Sequence, residues 1–388
     1  MKKRISPYIY LLCAGHLSTD LNQGVLPVII PFFINEYGLN YTTAASLVFA
    51  LNLVSSAVQP VFGALADRIS KPWIMSAGVL LAGGGMAATG ILTSYATIFV
   101  AVMISGLGIA AFHPEAARYA NKVAGQKKGT GISIFSFGGN IGFALGPIIA
   151  VWLVLNFGLK GVTALFIPVA IIAPVLLVAI NRYHRSEELA RASGSLQRES
   201  PGSDRWGAFS LLCALLFSRS IIFFGLNTFL PLYWIHVFKQ SETIASTALA
   251  ILLAVGAVTT LIAGRMADRF GFRKLIRGGF LFLLPLLGIF AFTTNVAAAT
   301  LLLVFIGIAL YAPFSPMVVM GQQYLPSRIG LASGVTLGLT ISVGGLAAPL
   351  LGWVADIYGL LPVMYTLAAC AVLPAFLAFA LPKSHDVV

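Results

Sequence analysis

Twelve apolar stretches of about 20 residues or more, parted by short polar breaks, fill nearly the whole chain, and no other feature restricts its folding as strongly. Their approximate limits are 7 to 34, 41 to 66, 72 to 93, 96 to 119, 130 to 157, 161 to 181, 207 to 237, 243 to 267, 273 to 293, 296 to 322, 331 to 355 and 360 to 381. At about 1.5 Å rise per residue, each window is long enough for a helix to cross a hydrocarbon layer of about 30 Å. Inside such a layer only helices and closed barrels satisfy the backbone, and barrel strands would be about ten residues of strict alternation. The windows therefore predict an all-α membrane protein. Composition removes the aqueous alternative: 9% of the 388 residues are charged, against about 25% in soluble domains. The amino terminus, Met1-Lys2-Lys3-Arg4 followed by apolar residues, has no small-x-small cleavage pattern after a short core and reads as a span rather than a leader. Cys13, Cys213 and Cys370 lie far apart inside apolar runs and suggest neither disulfides nor a zinc site.

The net charge of +12 asks whether the chain meets nucleic acid, an anionic surface or only the topology rules of membranes. With the amino terminus taken as cytoplasmic, twenty-one Lys and Arg fall on that side and two, Lys160 and Lys239, on the other, with Arg219 inside a span. This bias predicts cytoplasmic termini and an inner or plasma membrane location, with the lipid bilayer as the surrounding partner. Nucleic acid is not an expected partner, because no loop interleaves basic with aromatic residues. Residues 1–181 are expected to form an amino-terminal six-helix half, 182–206 a Ser-, Gly-, Arg- and Glu-rich cytoplasmic linker, and 207–388 a second six-helix half.

The halves repeat one another. GALADR at Gly63 to Arg68 returns as GRMADR at Gly264 to Arg269, an offset of 201. Phe112-His113-Pro114 returns as Phe314-Ser315-Pro316, Gly142 and Pro147 return as Gly344 and Pro349, and Leu26-Pro27 returns as Leu230-Pro231. An even number of spans per half makes the repeats parallel. With the G-x-L-A-D-R loop between spans 2 and 3, this pattern resembles the major facilitator superfamily of secondary transporters, although Ser70 stands where the superfamily usually has Gly. HLSTDLNQGVLPVIIPF in span 1, AFHPEAARYA in span 4 and RSIIFFGLNTFLPLY in span 7 are similar to the fosmidomycin-resistance-type exporters. The resemblance implies twelve transmembrane helices and proton-driven efflux of a small polar or anionic compound. It also implies a conformational latch at Gly63, Asp67, Arg68, Arg118, Asp268 and Arg269, where the alternative is a juxtamembrane charge anchor. Gly138, Gly142, Gly146 and Pro147 in span 5 partly resemble an antiporter signature, with Ala150 and Val151 in place of the expected glycines.

Ionisable residues inside the spans cost about 3 kcal/mol or more each unless paired or wet, and there are few. Asp20 lies 13 residues into span 1, roughly 20 Å from its start. His16 is one turn earlier on the same face, with Asn22 and Gln23 close by. A buried carboxylate with an imidazole at i−4 is a proton-accepting pair, unless Asp20 only bonds another helix. Arg219 in span 7 either binds an anionic substrate bidentately, pairs with Asp20 in one state, or makes a permanent ion pair. Pro114 should kink span 4, and beside it His113 and Glu115 read as further proton or substrate contacts or as structural caps. Glu115 can pair with Arg118 at i+3. Phe112, Asn140, Asn227 and Tyr233 are candidate cavity-lining residues, although a lipid-facing or interhelical packing place is the commoner reason for any one such residue.

No third ligand accompanies His113-x-Glu115 at metal spacing, and no nucleotide-binding loop is present, so neither metal nor cofactor is expected. An enzyme would need a nucleophile or metal constellation, and a channel would need charge rings and oligomer symmetry. The expected function is that of a monomeric, proton-coupled exporter of a small molecule, with a proton-coupled importer of an organic anion or other metabolite as the alternative.

Overall fold

The structure, a computed structural model, describes residues 6–39, 41–69, 71, 73–192 and 202–382. Lys2 to Arg4, Ser70 and Pro72 of the loop, 193–201 of the expected linker and Lys383 lie outside the described residues. Among the described residues there is no strand. The chain runs α1 (Tyr8–Tyr37), α2 (Tyr41–Ala57), α3 (Gln59–Arg68), α4 (Trp73–Ala88), α5 (Tyr95–Ala124), α6 (Lys128–Phe157), a 3₁₀ turn and α7 (Phe166–Ala192). It continues with α8 (Trp206–His236), α9 (Glu242–Phe270), α10 (Phe272–Phe292), α11 (Val296–Tyr311), α12 (Phe314–Tyr324) and α13 (Ile329–Gly334). A π-helical segment (Val335–Leu339) leads to α14 (Thr340–Tyr358), α15 (Leu360–Cys370) and α16 (Val372–Ala380).

The helix ends follow local chemistry. Ser94, Ser241 and Asn295 cap α5, α9 and α11 through side-chain oxygens that accept backbone N–H bonds. Gly38 ends α1 at φ 62°, a conformation other residues resist. Several of the apolar windows are split, and proline stands at three of the splits. The window from 41 to 66 breaks at Val58, which leaves Pro60 in the first turn of α3, where its missing N–H costs nothing. Pro313 stands between α11 and α12, and Pro374 lies in the first turn of α16. The window from 72 to 93 is shorter than expected: α4 stops at Ala88, and Thr89 Oγ1 donates back to the Met86 carbonyl at 2.7 Å as the chain turns. Among the described residues, eleven continuous or joined helical segments are long and apolar enough to cross a membrane, and α4 is a shorter apolar helix.

The described residues form two compact units. One holds the residues up to Gln126, Ile134–Asp204 and Pro326–Leu339. Its core gathers Val25, Ile29 and Phe33 of α1 with Met86, Val102, Ile109 and Val162. On α6, Gly138, Gly142 and Gly146 lie against the backbone carbonyls of Cys13, Leu17 and Leu21, so two four-residue rows mesh without intervening side chains. The other unit holds Lys127–Ser133, Arg205–Leu325 and the described residues from Thr340 onward. In it, Trp234 stacks on Phe290 at 5.9 Å between ring centroids, and Arg277 donates from Nη2 to the Phe379 carbonyl at 2.7 Å near the end of α16. That places a cation at a helix carboxyl end, where the helix dipole favours it.

Candidate functional site

In the first unit, α1 and α5 bring His16, Asp20 and His113 together. His113 Nε2 is 2.9 Å from Asp20 Oδ1, His16 Nε2 is 3.1 Å from Asp20 Oδ2, and the two Nε2 atoms are 3.1 Å apart. The opposite ring nitrogens are anchored on backbone: His16 Nδ1 to the Phe135 carbonyl at 2.8 Å and His113 Nδ1 to the Ile109 carbonyl at 2.9 Å. A carbonyl only accepts, so each Nδ1 carries the hydrogen and each neutral ring presents a bare Nε2. Two bare nitrogens and a carboxylate at such distances would set lone pair against lone pair. At least one proton must therefore be shared among them, or a cation must replace it. Both histidines are buried, while the Asp20 side chain keeps 14% exposure. Their ring faces are held by Phe135, stacked on His16 at 4.1 Å, and by Phe112, edge-on to His113 at 5.7 Å. These three residues are the group among the described residues whose ligand atoms lie close enough to hold a metal ion.

Glu115 takes no part in that cluster. It is buried and bonded bidentately by Arg118, from Nε at 2.9 Å and Nη2 at 2.7 Å. Helix α5 stays continuous through Pro114, so residues 113 and 115 keep different faces. Of the neighbours on α1, Asn22 is buried and donates to the Ser18 carbonyl at 2.8 Å, with its Oδ1 unbonded, and Gln23 is half-buried.

In the second unit, Arg219 is buried on α8 with its Nε donating to the Leu310 carbonyl at 2.8 Å. Its guanidinium lies 4.7 Å from the ring centre of Phe314, 5.5 Å from Tyr311 and 5.6 Å from Phe223. No carboxylate among the described residues forms an ion pair with it, so the charge is held by ring quadrupoles and one carbonyl. Its terminal nitrogens have no protein acceptor among the described residues. Asn227, about two turns further along α8, donates to the Phe223 carbonyl at 2.8 Å, and Tyr233 is buried against Phe238 and Phe290. Asn140 on α6 is half-buried.

The loop acids do something the sequence reading did not anticipate. Asp67 accepts from the backbone N–H of Gly330 at 2.7 Å and of Leu331 at 2.9 Å, rather than from a basic side chain. Asp268 likewise accepts from the N–H of Gly129 and of Thr130, each at 2.8 Å, and from Thr130 Oγ1 at 2.6 Å. Gly63 touches Gly330, and Gly264 touches Gly129, in backbone-to-backbone approaches that any side chain would block. The offset of 201 that relates Gly63 to Gly264 also relates Gly129 to Gly330, so the two clamps are copies of one design. The repeated glycines Gly129 and Gly330 are the signal in the sequence that marks the clamps. Arg68 and Arg269 are exposed, Arg269 over the Phe270 ring at 5.3 Å. Arg118 supplies positive charge near Asp67.

Comparison with known proteins places the chain. The model of the Major Facilitator Superfamily matches residues 12–349. An uncharacterized MFS-type transporter, YfnC, of Bacillus subtilis (strain 168) is 33% identical over 98% of this chain and 94% of its own. The fosmidomycin resistance protein of Escherichia coli (strain K12) is 30% identical over 96% of this chain and 91% of its own. Among solved structures, the major facilitator transporter FucP in the outward conformation superposes with a TM-score of 0.76 over 97% of this chain and 99% of its own, at 14% identity, a likeness of fold alone. The chain belongs to the major facilitator superfamily: it is a multi-pass membrane transporter and not an enzyme.

Proposed function

We propose that the protein is a proton-coupled exporter of a small polar or anionic compound, fosmidomycin among the candidates, working by alternating access. The observation that carries the reading is the triangle of His16, Asp20 and His113, whose facing acceptor atoms demand a shared proton and so form a place where protons are taken up and released. Proton occupancy at Asp20 is the coupling event, with His16 and His113 as its relays. Arg219 binds the anionic part of the substrate through its free terminal nitrogens. Efflux rather than import is supported by the likeness to the fosmidomycin resistance protein. The clamps at Asp67 and Asp268 are the conformational latch, made and broken as the transporter cycles, with Glu115 and Arg118 holding charge beside the first. The membrane is the inner or plasma membrane, with both termini cytoplasmic, and the chain works as a monomer.

Reconstituted vesicles test the coupling. Asp20→Asn should abolish transport driven by a pH gradient while leaving counterflow of unlabelled for labelled substrate. Gradient-driven transport at the native rate would refute it.

A further inference from the structure

We propose that the Nε2 atoms of His16 and His113 and the carboxylate of Asp20 form a binding site for a divalent transition-metal ion. The proposal goes beyond the transport reading and does not depend on it. Spacing is the first support. Asp20 Oδ1 is 2.9 Å from His113 Nε2, Asp20 Oδ2 is 3.1 Å from His16 Nε2, and the two Nε2 atoms are 3.1 Å apart, so the carboxylate turns one oxygen to each imidazole. Donor atoms about 2.1 Å from one ion stand about 3.0 to 3.4 Å apart when adjacent around it. Each neighbouring pair of donor atoms therefore has the spacing of adjacent ligands on one ion, with two imidazoles and either oxygen of the carboxylate as the donors.

Orientation is the second support. Both Nδ1–H groups are engaged by backbone carbonyls, at 2.8 and 2.9 Å, so both Nε2 atoms are left without hydrogen and able to bind a metal ion. An imidazole anchored in this way through its second nitrogen is the arrangement that fixes and strengthens histidine ligands. Room is the third. Gly139 of α6 faces the cluster, and a Cβ there would stand 2.6 Å from Asp20 Oδ2 and closer still to His16 Nε2. Glycine leaves open a position at ligand-bond range of two of the three donors. The donor set of imidazole and carboxylate, without thiolate, suits zinc, cobalt, nickel or ferrous iron rather than magnesium or calcium.

The test uses the purified, tag-free full chain in detergent, stripped of metal and titrated with Co²⁺, with bound cobalt counted after desalting and followed by electron paramagnetic resonance. The wild type should retain one Co²⁺ per chain, displaced by Zn²⁺. His16→Ala, His113→Ala and Asp20→Asn should each weaken binding by at least about tenfold. Gly139→Ala keeps all three ligands, and its methyl group should weaken binding comparably. His184→Ala removes a histidine that pairs instead with Glu188, and should change nothing. Size-exclusion profiles and thermal midpoints separate lost binding from lost folding. A wild type that retains no more cobalt than the His16→Ala/His113→Ala double variant would overturn the proposal, as would full retention by that variant. Metal-free transport assays report on proton coupling separately, so either reading can fail while the other stands.

Discussion

Arg219 stays charged inside the protein because three aromatic rings and the Leu310 carbonyl take the place of a carboxylate. A permanent ion pair would have left nothing for a substrate to displace, and the arrangement observed leaves its terminal nitrogens available. Arg219→Ala is expected to reduce transport of an anionic phosphonate by about 30-fold or more, the loss typical of removing one side of a buried charge pair, and to spare neutral compounds. Uptake by vesicles of both substrate types measures this, and equal loss of both would mark a structural role. The single residues were unevenly legible in the sequence. His16 and Asp20 are four apart, so helical geometry alone put them on one face. His113 lies 93 residues from Asp20, and only the packing of α1 on α5 brings it there. The carbonyls that orient both imidazoles belong to Phe135 and Ile109, and no residue type announces a backbone acceptor.

At the scale of elements, the structure depends on helices that touch backbone to backbone. A methyl group at Gly142 would meet the Leu17 backbone, with its carbonyl carbon 2.9 Å away. Gly142→Ala should therefore lower stability by about 1 to 3 kcal/mol, read as a fall in thermal midpoint in detergent. The two clamps carry a sharper expectation. In Asp67→Asn the amide oxygen accepts from one backbone N–H while the amide nitrogen opposes the other, so about 1 to 2 kcal/mol is lost. Hydrogen–deuterium exchange at Gly330 and Leu331 should accelerate about tenfold, with Gly129 and Thr130 unaffected. Asp268→Asn should do the reverse, and by more, because Thr130 Oγ1 adds a third bond where the repeat has Leu331. The spans themselves could be read from hydropathy to within a few residues. Their interruptions at Val58 and Ala312 were less visible, although Pro60 and Pro313 stand beside them, because a membrane helix often absorbs proline without breaking, as α5 does at Pro114.

For the molecule as a whole, the apolar windows and the 201-residue repeat carried most of what the family assignment then established. The repeat predicted helices of equivalent order, and the matched clamps at Asp67 and Asp268 extend it to single hydrogen bonds. The distribution of Lys and Arg also predicts that reporters fused at either terminus are active only on the cytoplasmic side, which a paired phosphatase and fluorescent-protein fusion experiment checks. The central claim is exchange of protons for substrate, and the polarity of the driving gradient tests it whichever way the protein inserts into vesicles. Proteoliposomes with an acid interior and an alkaline exterior should accumulate labelled fosmidomycin, and Asp20→Asn vesicles should not. Accumulation only when the exterior is the acid side would mean that proton and substrate move together, and would contradict the account.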